Sequence, residues 1–153
     1  MKNKTCCFTG HRTIYDNEKD LRNKTVSVVK TLINSGYVFF GTGGARGFDL
    51  LAAEVIISMK KRYPHIKLIF VLPFKEHTKG WKKDDIILYK KLEKYADKVR
   101  VLSDEYYDGC MQKRNRHLVD NSSICIAYKR KNSGGTAYTS DYAEKMGLKI
   151  IYL

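Results

Sequence analysis

Proline is scarce in this chain: Pro64 and Pro73 are the two in 153 residues. So few forced breaks exclude an extended, proline-rich or low-complexity character. No apolar run approaches the roughly 18 residues that suggest a membrane-spanning helix, and no membrane partner is expected. Met1-Lys2-Asn3-Lys4 leads straight into the strand-like Cys6-Cys7-Phe8 without the shape of a secretory signal, so a cytoplasmic location is expected. None of the four cysteines (Cys6, Cys7, Cys110 and Cys125) belongs to a Cys-x-x-Cys pair, which argues against a zinc knuckle or a thioredoxin motif. Cys6, Cys7 and Cys125 read as small buried hydrophobes. No cysteine or carboxylate stands at metal-like spacing, and no metal is expected. Acidic residues are also few, 16 against 29 Lys and Arg, for a net charge of +13. That balance favours anionic partners, although lysines such as Lys60, Lys82 and Lys90 are explained by solvated helix faces.

What is present is an alternation of short apolar runs with longer amphipathic stretches, the pattern of βαβ units on a parallel sheet. Strands are expected at 4–9, 37–40, 67–72, 99–102, 123–128 and 149–153. Helices are expected at 17–35, 48–62, 81–96, 111–120 and 138–146. The second helix is apolar around most of its circumference and should be largely buried. The expected fold is one Rossmann-like domain over 1–153: three α/β/α layers around a mostly parallel six-stranded sheet in the order 3-2-1-4-5-6. Ligands of such sheets sit beyond the carboxyl ends of the strands, where the order reverses, here between the first and fourth strands.

Four segments with unusual chemistry follow strand ends. The first is Thr9-Gly10-His11-Arg12. Its glycine permits close backbone approach, and Arg12 either pairs with a phosphate or is merely solvated. The second, Gly41-Thr42-Gly43-Gly44-Ala45-Arg46-Gly47, packs four glycines into seven residues before a helix. Its free N–H groups would bind an anion, with Arg46 as the cation. It has neither the Gly-x-Gly-x-x-Gly spacing nor a P-loop's Gly-Lys-Ser/Thr. Asp49 either caps the following helix or holds a ribose hydroxyl, capping being the commoner role. Glu54 lies within the apolar run 50–57 and needs a partner there; a structural bond outranks catalysis. The third segment is Met111-Gln112-Lys113-Arg114-Asn115-Arg116, in which Arg114, Asn115 and Arg116 are ligand candidates. The bland alternative is a basic surface helix with Met111, Leu118 and Val119 inward. The fourth, Ser133-Gly134-Gly135-Thr136, is again a glycine-rich strand-to-helix loop. His11 and His117 are the histidines read as titrating near neutral pH.

Taken in order, Thr9-Gly10-His11-Arg12, Gly43-Gly44-Ala45-Arg46-Gly47-Phe48-Asp49, Arg114-Asn115-Arg116 with Val119-Asp120, and Gly134-Gly135-Thr136 resemble the YpsA-like branch of the SLOG superfamily. The resemblance covers essentially the whole chain. It implies a Rossmann-like fold and a pocket for a nucleotide or a nucleotide-derived compound such as ADP-ribose. The superfamily also holds DprA-type proteins, which implies single-stranded nucleic acid as an alternative partner. Its LOG-type phosphoribohydrolases imply N-glycosidic cleavage as another reading, and homodimer formation near the arginine-bearing helix. Met111-Gln112-Lys113-Arg114-Asn115 resembles the LOG Met-x-x-Arg-Lys helix, with Asn115 in place of lysine. Thr139 stands where the LOG pattern has its catalytic glutamate, and threonine is no general acid or base near neutral pH. Asp141 and Glu54 are the catalytic candidates, Asp141 reading more simply as a solvent-facing helix residue.

Overall fold

The computed structural model describes residues 1–153. Six strands, β1 (Thr5–Gly10), β2 (Phe39–Thr42), β3 (Lys67–Leu72), β4 (Lys98–Val101), β5 (Ile124–Tyr128) and β6 (Lys149–Tyr152), alternate with five helices. These are α1 (Glu18–Asn34), α2 (Phe48–Lys60), α3 (Lys83–Glu93), α4 (Cys110–Asp120) and α5 (Gly135–Lys145). All strand pairs are parallel. The larger core joins one sheet face to α1, α2 and α3; the smaller joins the other face to α4 and α5. That is a Rossmann-like three-layer arrangement.

The strand order is 4-3-2-1-5-6. It agrees with the expected order except at β4, which lies outside β3 rather than beside β1. The cause is legible in side chains. A strand beside β1 is covered on both faces and must be apolar throughout, as Ile124-Cys125-Ile126-Ala127-Tyr128 is, all buried. Lys98-Val99-Arg100-Val101 alternates charge with valine, and every residue is exposed. Such alternation suits a sheet edge, where charge also discourages further pairing. The reversal of order therefore falls between β1 and β5. The chain leaves edge strand β4 and returns through α4, which packs against β3 and β1, so α4 is carried over the reversal point.

Helix ends follow local chemistry. The Asn17 side chain accepts the Asp20 N–H and caps α1. Nine residues of α2 are buried, in keeping with its apolar circumference. α5 begins three residues earlier than its apolar pattern suggests, because Gly134 at φ +89° turns the chain directly into it. Tyr89 and Tyr128 are core residues, whereas Tyr95 is 56% exposed. Cys6, Cys7 and Cys125 are buried thiols in the central strands.

Candidate functional site

Beyond the carboxyl ends of β1 and β5 lies a cleft of about 440 Å3. All four segments line it: Thr9 to Arg12 at the end of β1 and just beyond, Ala45 and Asp49 on either side of the start of α2, Met111, Arg114 and Asn115 from α4, and Ser133 to Thr136 across the start of α5. They converge because β1 and β5 are neighbours in register, with Thr9 opposite Ala127 and Gly10 opposite Tyr128. Their following loops therefore leave the sheet side by side.

Arg114 is the centre of the arrangement. It is 6% exposed. Its Nη1 donates to the Gly43 carbonyl, and its Nε donates to Asn115 Oδ1 at 2.7 Å. One bond to the backbone and one to a side-chain amide fix the guanidinium plane, while Nη2 takes part in neither. Burial lowers the Arg114 pKa, and the nearby Asp49 carboxylate opposes that shift. Arg12 and Lys131 add two more cations to the lining.

Asp49 is the single carboxylate in the cleft. It is buried, and Oδ2 accepts the Ala45 N–H at 3.2 Å. Burial pushes its pKa up to about 6; Arg114 and the amides of Ala45 and Gly43 pull the other way. The second glycine-rich segment is thus not an empty cradle, because its amides face the protein's own carboxylate. Its glycines are required sterically. A Cβ on Gly43 would lie 2.7 Å from the Arg114 guanidinium, and one on Gly44, at φ +68°, 2.8 Å from Leu72 Cδ2. Gly43 and Gly44 support the wall without lining it. Behind them the buried His77 packs on Tyr89 at 4.6 Å, and its Nε2–H donates to the Gly44 carbonyl at 3.1 Å. Burial lowers the His77 pKa to about 4.

The amides still open to a ligand belong to α5. Gly134 is its N-cap and supplies no side chain, so the first-turn N–H groups meet no side-chain acceptor. Thr136 is buried at this end and lines the cleft. The loops are latched across β1 and β5. His11 Nε2 accepts the Arg130 N–H at 2.8 Å, which places the His11 proton on Nδ1. Burial, then Lys131 and Arg130, lower the His11 pKa. The Tyr128 hydroxyl accepts the Tyr15 N–H at 2.8 Å and holds the loop before α1.

Several candidates lie elsewhere. Arg46 stacks over Trp81 at 5.2 Å, with its Nε buried and unpartnered, and does not supply a cation to the cleft. Arg116 donates to the Tyr138 hydroxyl at 2.8 Å on the far side of α4. Glu54 is half-buried and pairs with Arg22 at 3.7 Å, the structural role, between α2 and α1. Asp141 is exposed on α5 and lines no part of the cleft. Thr139 bonds its own helix, donating to the Gly135 carbonyl at 2.8 Å. His117 lies at the other end of α4, and burial lowers its pKa. Sequence reasoning missed Thr13, Tyr15 and Lys131 as lining residues. Lys129-Arg130-Lys131 directly after β5 was a signal of the same positional kind as the four segments, hidden among the many other lysines.

The profile of the YspA SLOG family matches residues 7–152. The SPbeta prophage-derived protein YoqJ of Bacillus subtilis (strain 168) is 33% identical over 138 residues, covering 82% of this chain and 81% of that protein. Among solved structures, DNA processing protein A (DprA) from Streptococcus pneumoniae superposes with a TM-score of 0.71 at 16% identity, covering 99% of this chain and 50% of that one. DNA processing protein A from Helicobacter pylori, whose structure describes a single-stranded DNA binding mode, gives 0.68 at 17% identity, covering 99% of this chain and 65% of that one. The chain spans half to two thirds of these neighbours, and at such identities the likeness is one of fold.

Proposed function

The chain belongs to the YspA SLOG family, and from that premise we propose that its cleft binds a nucleotide or nucleotide-derived anion. The observation that carries the reading is the grouping of Arg12, Arg114 and Lys131 around a single buried carboxylate, Asp49, at the open N-terminus of α5. A phosphate suits the α5 amides and Arg114, because both donors are fixed before binding. A ribose hydroxyl suits Asp49, and the Thr9 and Thr136 hydroxyls complete the polar wall. Met111 gives a base an apolar surface. Calorimetry with AMP and ADP-ribose tests the reading. Saturable binding that weakens when Arg114 is replaced is expected; no heat with either compound would overturn it.

Asp49 favours one further reading. A buried carboxyl with a pKa of about 6 can hold a proton near neutral pH, which a glycosidic leaving group requires. Glu54 and Asp141 stand outside the cleft, so N-glycosidic cleavage would rest on Asp49. Incubation with AMP followed by chromatography for free adenine decides between binding and turnover. Single-stranded nucleic acid is the third reading, supported by the +13 charge and the fold shared with DprA. It requires binding that falls steeply with salt in a gel-shift assay.

A further inference from the structure

A second cavity, of about 550 Å3, opens on the sheet face that carries α4, toward the opposite end of that helix. Its floor follows from strand alternation. Phe39 and Gly41 of β2 and Ile69 and Val71 of β3 point to this face, while Phe40, Leu68 and Phe70 point to the larger core. In register, Ile69 stands opposite Lys98 and Val71 opposite Arg100. Thus β4 continues an apolar row with two cations. Leu118 of α4 closes the opposite wall, and its Cδ2 would lie 3.0 Å from a Cβ on Gly41.

The charge here is of one sign. Lys2, Lys98 and Arg100 line the groove, with His117 beside them, and no carboxylate lines it. The field is felt locally: the His117 pKa is lowered by burial and then by Arg100 and Lys98, against Asp120 on its own helix. An anion is therefore favoured, but not the anion of the cleft. Here α4 ends, at the C-cap Asn121, and a helix C-terminus carries partial negative charge. A polyphosphate would meet that end with no amide donors to hold it. A protein helix is also a poor fit. Val71 and Leu118 are only 4% and 6% exposed, so the apolar surface on offer is far below the roughly 800 Å2 per partner of a stable interface. A cavity of this volume is the size of a small-molecule site.

We propose that the groove between α4 and β4 is a second ligand site, for a small carboxylate with an aliphatic or aromatic body. The body would lie on the half-buried Phe39 and Ile69, with Leu118 as the wall behind them, and the carboxylate would reach Lys98 and Arg100. The proposal does not rest on the identity of the cleft's ligand.

The test uses 2-naphthoate and decanoate as probes and the uncharged 2-naphthamide as control, followed by amide and imidazole NMR on the full chain. Expected results are saturable shifts at Phe39, Ile69 and Leu118, and an upward move of the His117 titration as a carboxylate arrives beside it. The amide control should bind at least about tenfold more weakly, the worth of one charge-assisted hydrogen bond. Lys98 and Arg100 are exposed, so the double variant K98E/R100E should fold normally and lose the same factor. No saturable binding by either carboxylate, equal binding of the amide, or binding undiminished in K98E/R100E would each overturn the proposal. Shifts confined to residues 9–12 and 133–136 would also overturn it, by placing the probe in the cleft.

Discussion

The cleft and the groove lie toward opposite ends of α4, and both are cationic, but their charges are held differently. In the cleft, Arg114 is buried and fixed by Gly43 and Asn115, and a buried carboxylate stands beside it. In the groove, Lys98 and Arg100 are exposed on an edge strand. Buried charges act at low dielectric and are screened little; exposed ones are screened by salt and lose side-chain freedom when they engage. The cleft is thus preorganised for a defined anion, and the groove offers attraction with little geometry. One helix serves both because Met111, Arg114 and Asn115 line the cleft and His117, Leu118 and Asn121 line the groove.

Replacing Arg114 should break this contrast most severely. R114A removes a buried cation and strands the Gly43 carbonyl, so nucleotide affinity should fall by roughly 100-fold or more and stability by about 3 kcal/mol. Calorimetry and urea unfolding read the two losses. 2-Naphthoate binding in the groove should change far less, because its charge is met by Lys98 and Arg100 and not by Arg114.

Protonation gives the next effect. Between about pH 4 and 6, folded Asp49 holds a proton that the unfolded chain has released, so its contribution to stability falls as pH rises. Between about pH 4 and 6.5 the unfolded chain protonates His77 while the folded one does not, so that contribution rises with pH. Each is on the order of 3 kcal/mol, and they oppose. Wild type should show a nearly flat profile from this pair. In D49N the Asn oxygen can still accept the Ala45 N–H, and the His77 slope should emerge as a urea midpoint rising from pH 4 to 6.5. The same pH profile in D49N and wild type would remove buried Asp49 from the account, and a flat or falling midpoint in D49N would remove His77.

G43A should cost about 1–3 kcal/mol, as overpacking does, because the new methyl displaces the Arg114 guanidinium. Nucleotide affinity should fall with it, while the groove probe again reports no change. The smallest effect belongs to R116A. Arg116 bonds only the Tyr138 hydroxyl, and a substitution of that kind should stay within about 0.5 kcal/mol in urea unfolding.

Much of this was legible in the residues themselves. The alternation of apolar runs and helices announced the parallel sheet, and β3 and β5 were plain because strands covered on both faces are apolar throughout. The place of β4 was not read, although Lys98-Val99-Arg100-Val101 carried the sign of an edge. Spacing along the chain does not state which strands pair. The four segments were found because glycine and arginine gathered at strand ends. Their individual roles were not legible. Arg46 and Arg114 look alike in sequence, and only packing sends one onto Trp81 and the other into the cleft. The glycines at 43 and 44 were read as a phosphate cradle, yet their constraint is the space taken by Arg114, Leu72 and Tyr89. The groove had no motif at all, because its row of Phe39, Ile69 and Leu118 with Lys98 and Arg100 exists only once β2, β3, β4 and α4 are side by side.

The claim that four distant segments make one ligand site is met most directly by titrating the protein with ADP-ribose while following backbone amides by NMR. Saturable shifts should gather at residues 9–12, 45–49, 111–115 and 131–136, with the amides of β4 and the C-terminal turn of α4 unmoved. Shifts spread evenly over the basic surface, or confined to one of those segments, would contradict it.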